Sequence, residues 1–115
     1  MQETPKFIQG VFAFKGAGLR EPTSLDPAVV YKVPFDKRAQ LVYLRAGNSS
    51  AEMIFLVLNR DRRPMRYFPI GAKASIHVQL AIIEDIEPET EITLSIGAPQ
   101  GLAGDVMLDL GLMEI

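Results

Sequence analysis

The longest uninterrupted apolar run in the chain, residues 53–58 with the sequence MIFLVL, is its strongest structural signal. Such a run between two clusters of turn-forming residues predicts a strand buried on both faces. Residues 38–45 before it and residues 65–70 after it continue an apolar pattern across short polar breaks. We therefore predict a meander of three strands in which the middle strand is the one buried on both faces.

The C-terminal half alternates apolar and polar residues with a period of two, which predicts antiparallel strands with one solvated face. The three segments concerned are residues 75–83, 90–98 and 105–114. Residues 7–15 and 29–35 predict two further strands, and residues 16–28 between them, rich in Gly and Pro, predict a long loop.

About eight short strands with little or no helix predict an all-β fold. A flat sheet cannot bury both sides of the run 53–58, so we expect an antiparallel β-sandwich of Greek-key or jelly-roll type. At 115 residues, the chain fits a single domain, 1–115.

Composition narrows the function classes. Cysteine is absent, which excludes disulfides and cysteine catalysis, and the formal net charge is −2. This charge gives no long-range attraction to nucleic acid or to an anionic membrane. No stretch resembles a signal peptide or a membrane span, so we expect a cytoplasmic protein without membrane or nucleic-acid partners.

Few residues suggest catalysis. His77 is the sole histidine and falls on the polar face of a predicted strand, where a surface role is expected. Asp105 and Asp109 are a candidate acid–base pair, but both fall on the outward face of a strand, where an ordinary pKa is expected. The sequence therefore predicts no catalytic residues and no cofactor.

Two charge clusters of opposite sign stand out. The first is an arginine-rich turn with adjacent aromatic residues, which we interpret as a surface that faces a protein partner: Arg60, Arg62, Arg63, Arg66, Tyr67 and Phe68. The second is an acidic segment whose carboxylates are weak candidates for Ca²⁺ ligands: Glu84, Asp85 and Glu87.

Three functional hypotheses remain. The leading one is a non-catalytic module that self-associates or serves as an accessory subunit, because several strands carry apolar residues on both faces and large apolar patches are rare on monomers. We accordingly expect a homo-oligomer or a protein partner. The alternatives are a sandwich that binds carbohydrate or another small molecule, and a small enzyme that uses carboxylates.

Overall fold

The computed structural model describes residues 3–80 and 85–115, and these fold into β-strands without helix. The strands are β1 (Thr4–Lys15), β2 (Gly18–Lys32), β3 (Ala39–Asn48), β4 (Ile54–Arg60), β5 (Arg63–Ile70), β6 (Ser75–Gln79), β7 (Asp85–Ile86), β8 (Glu91–Ala98) and β9 (Ala103–Glu114). The predicted antiparallel all-β sandwich is confirmed. No described segment forms a helix long and apolar enough to cross a membrane.

The strands form two sheets. The first sheet has the order β1–β9–β3–β6, with the short β7 also beside β3, and the second sheet has the order β5–β4–β8–β2. The pairing of Ala13 with Asp26 joins β1 to β2 at one corner. Most connections cross from one sheet to the other, as in Greek-key and jelly-roll sandwiches.

One hydrophobic core lies between the two sheets, and the predicted alternation supplies much of it. In β8, Ile92, Leu94 and Ile96 are buried. In β9 the inward residues are likewise buried, namely Val106, Leu108, Leu110 and Leu112. The alternating pattern was informative here because these strands are solvated on one face only.

The run 53–58 does enter the core. Of its two predicted partner strands, the one at residues 65–70 is confirmed as β5, and the one at residues 38–45 is wrong. Met53 lies outside β4 and is exposed, whereas Ile54, Leu56 and Leu58 are completely buried. β4 pairs with β5 and β8, while β3 lies in the opposite sheet between β9 and β6. Both strands need to bury an apolar face, and they do so by approaching the core from opposite sides.

The connection between β3 and β4 is held by the side chain of Asn48. Its amide nitrogen donates hydrogen bonds to the carbonyl oxygens of Glu52, Ile70 and Gly71 at 2.8, 3.3 and 3.0 Å. Its amide oxygen accepts bonds from the backbone and the hydroxyl of Ser50. These bonds satisfy the backbone of a chain that crosses between sheets, where no strand partner is available.

The predicted loop at residues 16–28 is wrong: most of it belongs to β2. β2 pairs with β8, but its register shifts between Gly18 and Thr23 and again between Ser24 and Val29. Such irregularities interrupt the two-residue period, so the sequence shows no clear strand pattern. The predicted strand 29–35 supplies the end of β2, and Phe35 beyond it is 78% exposed.

The buried part of β4 allows a direct test of the core. We expect Leu56→Ala to lower the free energy of unfolding by about 2–5 kcal/mol, because it removes a fully buried side chain and leaves a cavity. Met53→Ala is the control, with an expected change of about 0.5 kcal/mol or less because Met53 is exposed. Urea unfolding curves measure both variants, and equal losses of stability would contradict this assignment.

Candidate functional site

The outer face of the first sheet carries a row of polar side chains across four strands. Antiparallel pairing sets Gln9 of β1 opposite Asp109 of β9, Asp109 opposite Arg45 of β3, and Arg45 opposite His77 of β6. Directly paired residues of neighbouring strands hold their side chains about 5 Å apart on the same face. The register of the sheet therefore brings together four polar side chains from distant parts of the sequence.

A bulge in β3 adds Tyr43 to this face. Leu41 pairs with Leu112 and Tyr43 pairs with Gly111, so Val42 is an extra residue without a partner in β9. Because of this extra residue, Leu41 and Leu44 both point into the core while Tyr43 points outward. An uninterrupted two-residue period would place Leu41 and Tyr43 on the same face, but the bulge shifts the alternation by one residue.

Gly111 makes room for the ring of Tyr43. A Cβ atom at Gly111 would collide with the ring carbons of Tyr43, so the ring lies directly against the sheet backbone at this point. The ring also contacts His77 edge to face, with centroids 6.0 Å apart. Glycine is required here for close approach of a side chain, not for an unusual backbone conformation.

Asp109 is the centre of the hydrogen-bond network. Its Oδ1 atom accepts bonds from Nε2 of Gln9 at 3.1 Å and from the hydroxyl of Tyr43 at 2.9 Å. Its Oδ2 atom accepts bonds from Nε and Nη2 of Arg45 at 3.2 and 2.7 Å. These four bonds use the roughly four lone-pair positions of an ionised carboxylate.

The network changes the pKa values of Asp109 and Tyr43. The guanidinium of Arg45 and the amide of Gln9 donate to the ionised carboxylate and so lower the pKa of Asp109. Desolvation, followed by the hydrogen bond to Asp109, raises the pKa of Tyr43. The expectation of an ordinary pKa for Asp109 was therefore wrong, because its cross-strand neighbours could not be identified from the sequence.

A shallow groove of about 710 Å³ lies beside this network. Gly47 of β3 leaves space in it, and Val11 and Met107 are 61% and 63% exposed along it. Its lining residues come from β1, β9, β3 and β6: Gly10, Val11, Arg45, Ala46, Gly47, Ser75, Ile76, His77, Met107, Leu108 and Asp109. The groove combines apolar surface with a few polar groups in fixed positions, the composition typical of small-molecule sites.

The arginine-rich turn lies elsewhere, on the second sheet. It is the hairpin between β4 and β5, and its two central residues, Asp61 and Arg62, both have positive φ. Phe68 is a core residue with 5% exposure, because inward positions of β5 complete the core, so it cannot form part of a surface. Tyr67 is exposed, and the proposed partner role of Arg60, Arg62, Arg63, Arg66 and Tyr67 stays a prediction.

The acidic segment does not form a metal site within the described residues. Asp85 forms an ion pair with Arg38 at 3.3 Å, Glu87 is exposed, and Glu84 lies outside the described residues. Across residues 3–80 and 85–115, no group of three or more His, Asp or Glu side chains is placed to hold a metal ion. The candidate calcium ligands thus stay a prediction without structural support.

The sequence predicted none of these five residues as part of a site. His77 and Asp109 were considered only as catalytic candidates and set aside, and Gln9, Tyr43 and Arg45 were not considered. Gln9 and Arg45 lie at outward positions of their strands, yet nothing in the sequence indicates which strands are neighbours. Asp105, the proposed partner of Asp109, is exposed four residues away along β9 and does not join the network, so the structure does not support an acid–base pair.

Comparison with known proteins shows the class of fold. No family model and no curated protein matches the sequence. The fold is similar to a carbohydrate-binding module CBM36 solved in complex with calcium and xylotriose, with 16% identity, complete coverage of both chains and a TM-score of 0.59. It is also similar to the CBM36-1 domain of a multidomain xylanase from the hindgut metagenome of Trinervitermes trinervoides. The identity is 13%, the match covers 92% of this chain and 96% of that domain, and the TM-score is 0.56.

These neighbours correct the leading hypothesis from the sequence. A self-associating or accessory module was the wrong choice, because the two solved domains named above, which have a similar fold, are carbohydrate-binding modules. Part of the apolar surface that suggested self-association is covered within the chain. Val57, on the outer side of β4, is buried, and the ring of Phe55 lies over Gly97 and against Tyr67.

The contact between Tyr43 and Gly111 can be tested with a matched pair of variants. We expect Gly111→Ala to displace the Tyr43 ring and to lower the free energy of unfolding by about 1–3 kcal/mol through overpacking. Gly47→Ala makes the same change in β3, on the same outer face of the first sheet. The nearest heavy atom to its new Cβ lies 3.8 Å away, so this variant should be tolerated. Thermal unfolding and the ring resonances of Tyr43 report the result; equal effects of both variants would contradict it.

The lowered pKa of Asp109 has a definite sign for stability. Its stabilising contribution is present above the ordinary aspartate pKa of about 3.9, and it is lost as the pH falls through the lower pKa of the folded state. We expect a carboxyl NMR titration to place the pKa of Asp109 below that ordinary value and Arg45→Gln to move it upward. Arg63→Gln, in the hairpin of the second sheet, is the control, and an unchanged Asp109 midpoint in Arg45→Gln would refute the assigned cause.

Proposed function

We propose that this chain is a binding module for a carbohydrate, held in the groove on the outer face of the first sheet. The observation that carries the proposal is the rigid polar network around Asp109 at the side of a groove with exposed apolar residues. Sugars have hydroxyl groups that need fixed hydrogen-bonding partners and C–H faces that pack on apolar surface. The two CBM36 domains of the same fold support a sugar as the ligand class.

Each part of the groove has a role in this proposal. Val11 and Met107 supply the apolar surface against which a sugar ring packs. Arg45, His77 and Ser75 are exposed or partly exposed and offer polar groups to hydroxyl and ring oxygens. Asp109 does not contact the sugar, since its oxygens are already occupied, but it holds Arg45 and Tyr43 in position.

The proposal uses no metal ion. One of the neighbours was solved with calcium, but the carboxylate beside this groove already accepts four hydrogen bonds and has no free lone pair for a cation. The same occupancy argues against the small-enzyme alternative. A carboxylate with a lowered pKa and four donors is poorly suited to act as a general acid.

Filling the groove tests the proposal without disturbing the network. In Gly47→Leu the new side chain extends outward beside Met107 into the groove, and the backbone at residue 47 has no positive φ to oppose the change. Affinity electrophoresis against a panel of soluble polysaccharides should show retardation of the wild-type chain that Gly47→Leu abolishes. A sugar ring excluded by an occupied groove loses both its packing and its hydrogen bonds.

The matched control is Gly71→Leu, which adds the same side chain in the turn between β5 and β6 at a residue that does not line the groove. It should bind as the wild type does. Circular dichroism and thermal unfolding establish that both variants are folded. Retention of binding by a folded Gly47→Leu variant, or absence of binding to every polysaccharide of the panel, would contradict the proposed function.

A further inference from the structure

Among the described residues, the groove offers a ligand free hydrogen-bond donors but no free carboxylate acceptor. The carboxylate of Asp109 is fully used by Gln9, Tyr43 and Arg45, so it offers nothing to a ligand. Within the described part of the chain, Nη1 of Arg45 and the hydroxyl of Ser75 have no hydrogen-bond partner. A ligand therefore meets a guanidinium that still has N–H groups to donate, and it finds no carboxylate able to accept.

The charges of the ion pair are also unequally exposed. The side chain of Arg45 is 57% exposed, whereas that of Asp109 is only 16% exposed. The formal charges cancel, but the positive partner faces the solvent and the negative partner lies beneath it. Lys15 and Asp105, the nearest charged groups further along the same face of β1 and β9, are opposite in sign and offset each other.

We infer that the sugar recognised in this groove carries a carboxylate, as in an oligosaccharide of uronic acids, and that Arg45 is the residue that selects it. The inference rests on the proposed function and adds the substrate class to it. Guanidinium groups suit carboxylates because planar donors meet planar acceptors. Asp109 is a positioning residue in this arrangement, and His77, paired with Arg45 on the neighbouring strand, borders the same position.

Polygalacturonate and its fully methyl-esterified form provide the test, because they share one backbone and differ in the charge of the carboxyl group. We expect the wild type to bind the acid and to lose affinity on esterification and with rising salt, which screens exposed charges. Arg45→Gln should lower the association constant for the acid by about tenfold or more. Arg45→Lys keeps the charge but loses the planar fork, so its association constant should lie between those of the wild type and Arg45→Gln. Arg63→Gln removes the same charge from the distant hairpin and should have no effect.

Three outcomes would overturn the inference, and they are distinguishable from one another. Equal binding of the acid and the ester, abolished in both cases by Gly47→Leu, would leave the proposed function intact and show that the ligand is neutral. Binding that depends on Arg45 but is seen only with dextran sulfate, and not with polygalacturonate or neutral dextran, would identify a sulfate ester instead. If no polysaccharide binds the wild type, or if Gly47→Leu abolishes none of the binding that is seen, the proposed function is rejected together with the inference.

Discussion

The structure depends on the pairing of β9 with β1 on one side and with β3 on the other. β9 pairs with β1 over its whole length, from Ala103 to Glu114, and with β3 over most of it. Its inward side chains form the floor of the core, and its outward positions place Asp109 and Gly111 between the two neighbouring strands. The strand that stabilises the first sheet thus also organises the candidate site, so the site geometry is tied to the packing of the core.

Alternation of apolar and polar residues was sufficient to predict the strands with one wet face. β8 and β9 lie close to their predicted ranges because each has a clean two-residue period. β2 was mistaken for a loop because its register shifts twice against β8, and the bulge at Val42 in β3 was invisible for a similar reason. A bulge is a property of two paired strands, and a pattern read along one strand cannot contain it.

The candidate site shows the same limit in a stronger form. Gln9, Arg45 and Asp109 lie far apart in sequence and become neighbours only through the order β1–β9–β3. Each is unremarkable at an outward position of its own strand. The strand order is set by burial of all the inward faces together, so it follows from the whole chain and not from any one segment. The proposed substrate class depends on that strand order, because the order determines that Arg45 is the cation paired with Asp109.

The two outer faces of the sandwich use the same packing device with different results. On the first sheet the ring of Tyr43 lies over Gly111, and on the second the ring of Phe55 lies over Gly97. In both cases a glycine in the adjacent strand lets an aromatic ring pack against the backbone, which shields apolar surface on a face with no second layer. The hydroxyl of Tyr43 reaches Asp109 and joins a polar network, whereas Phe55 contacts Tyr67 and has no polar group to offer. The hydroxyl of Tyr43 therefore makes its ring part of a polar network, whereas the ring of Phe55 contributes only apolar packing.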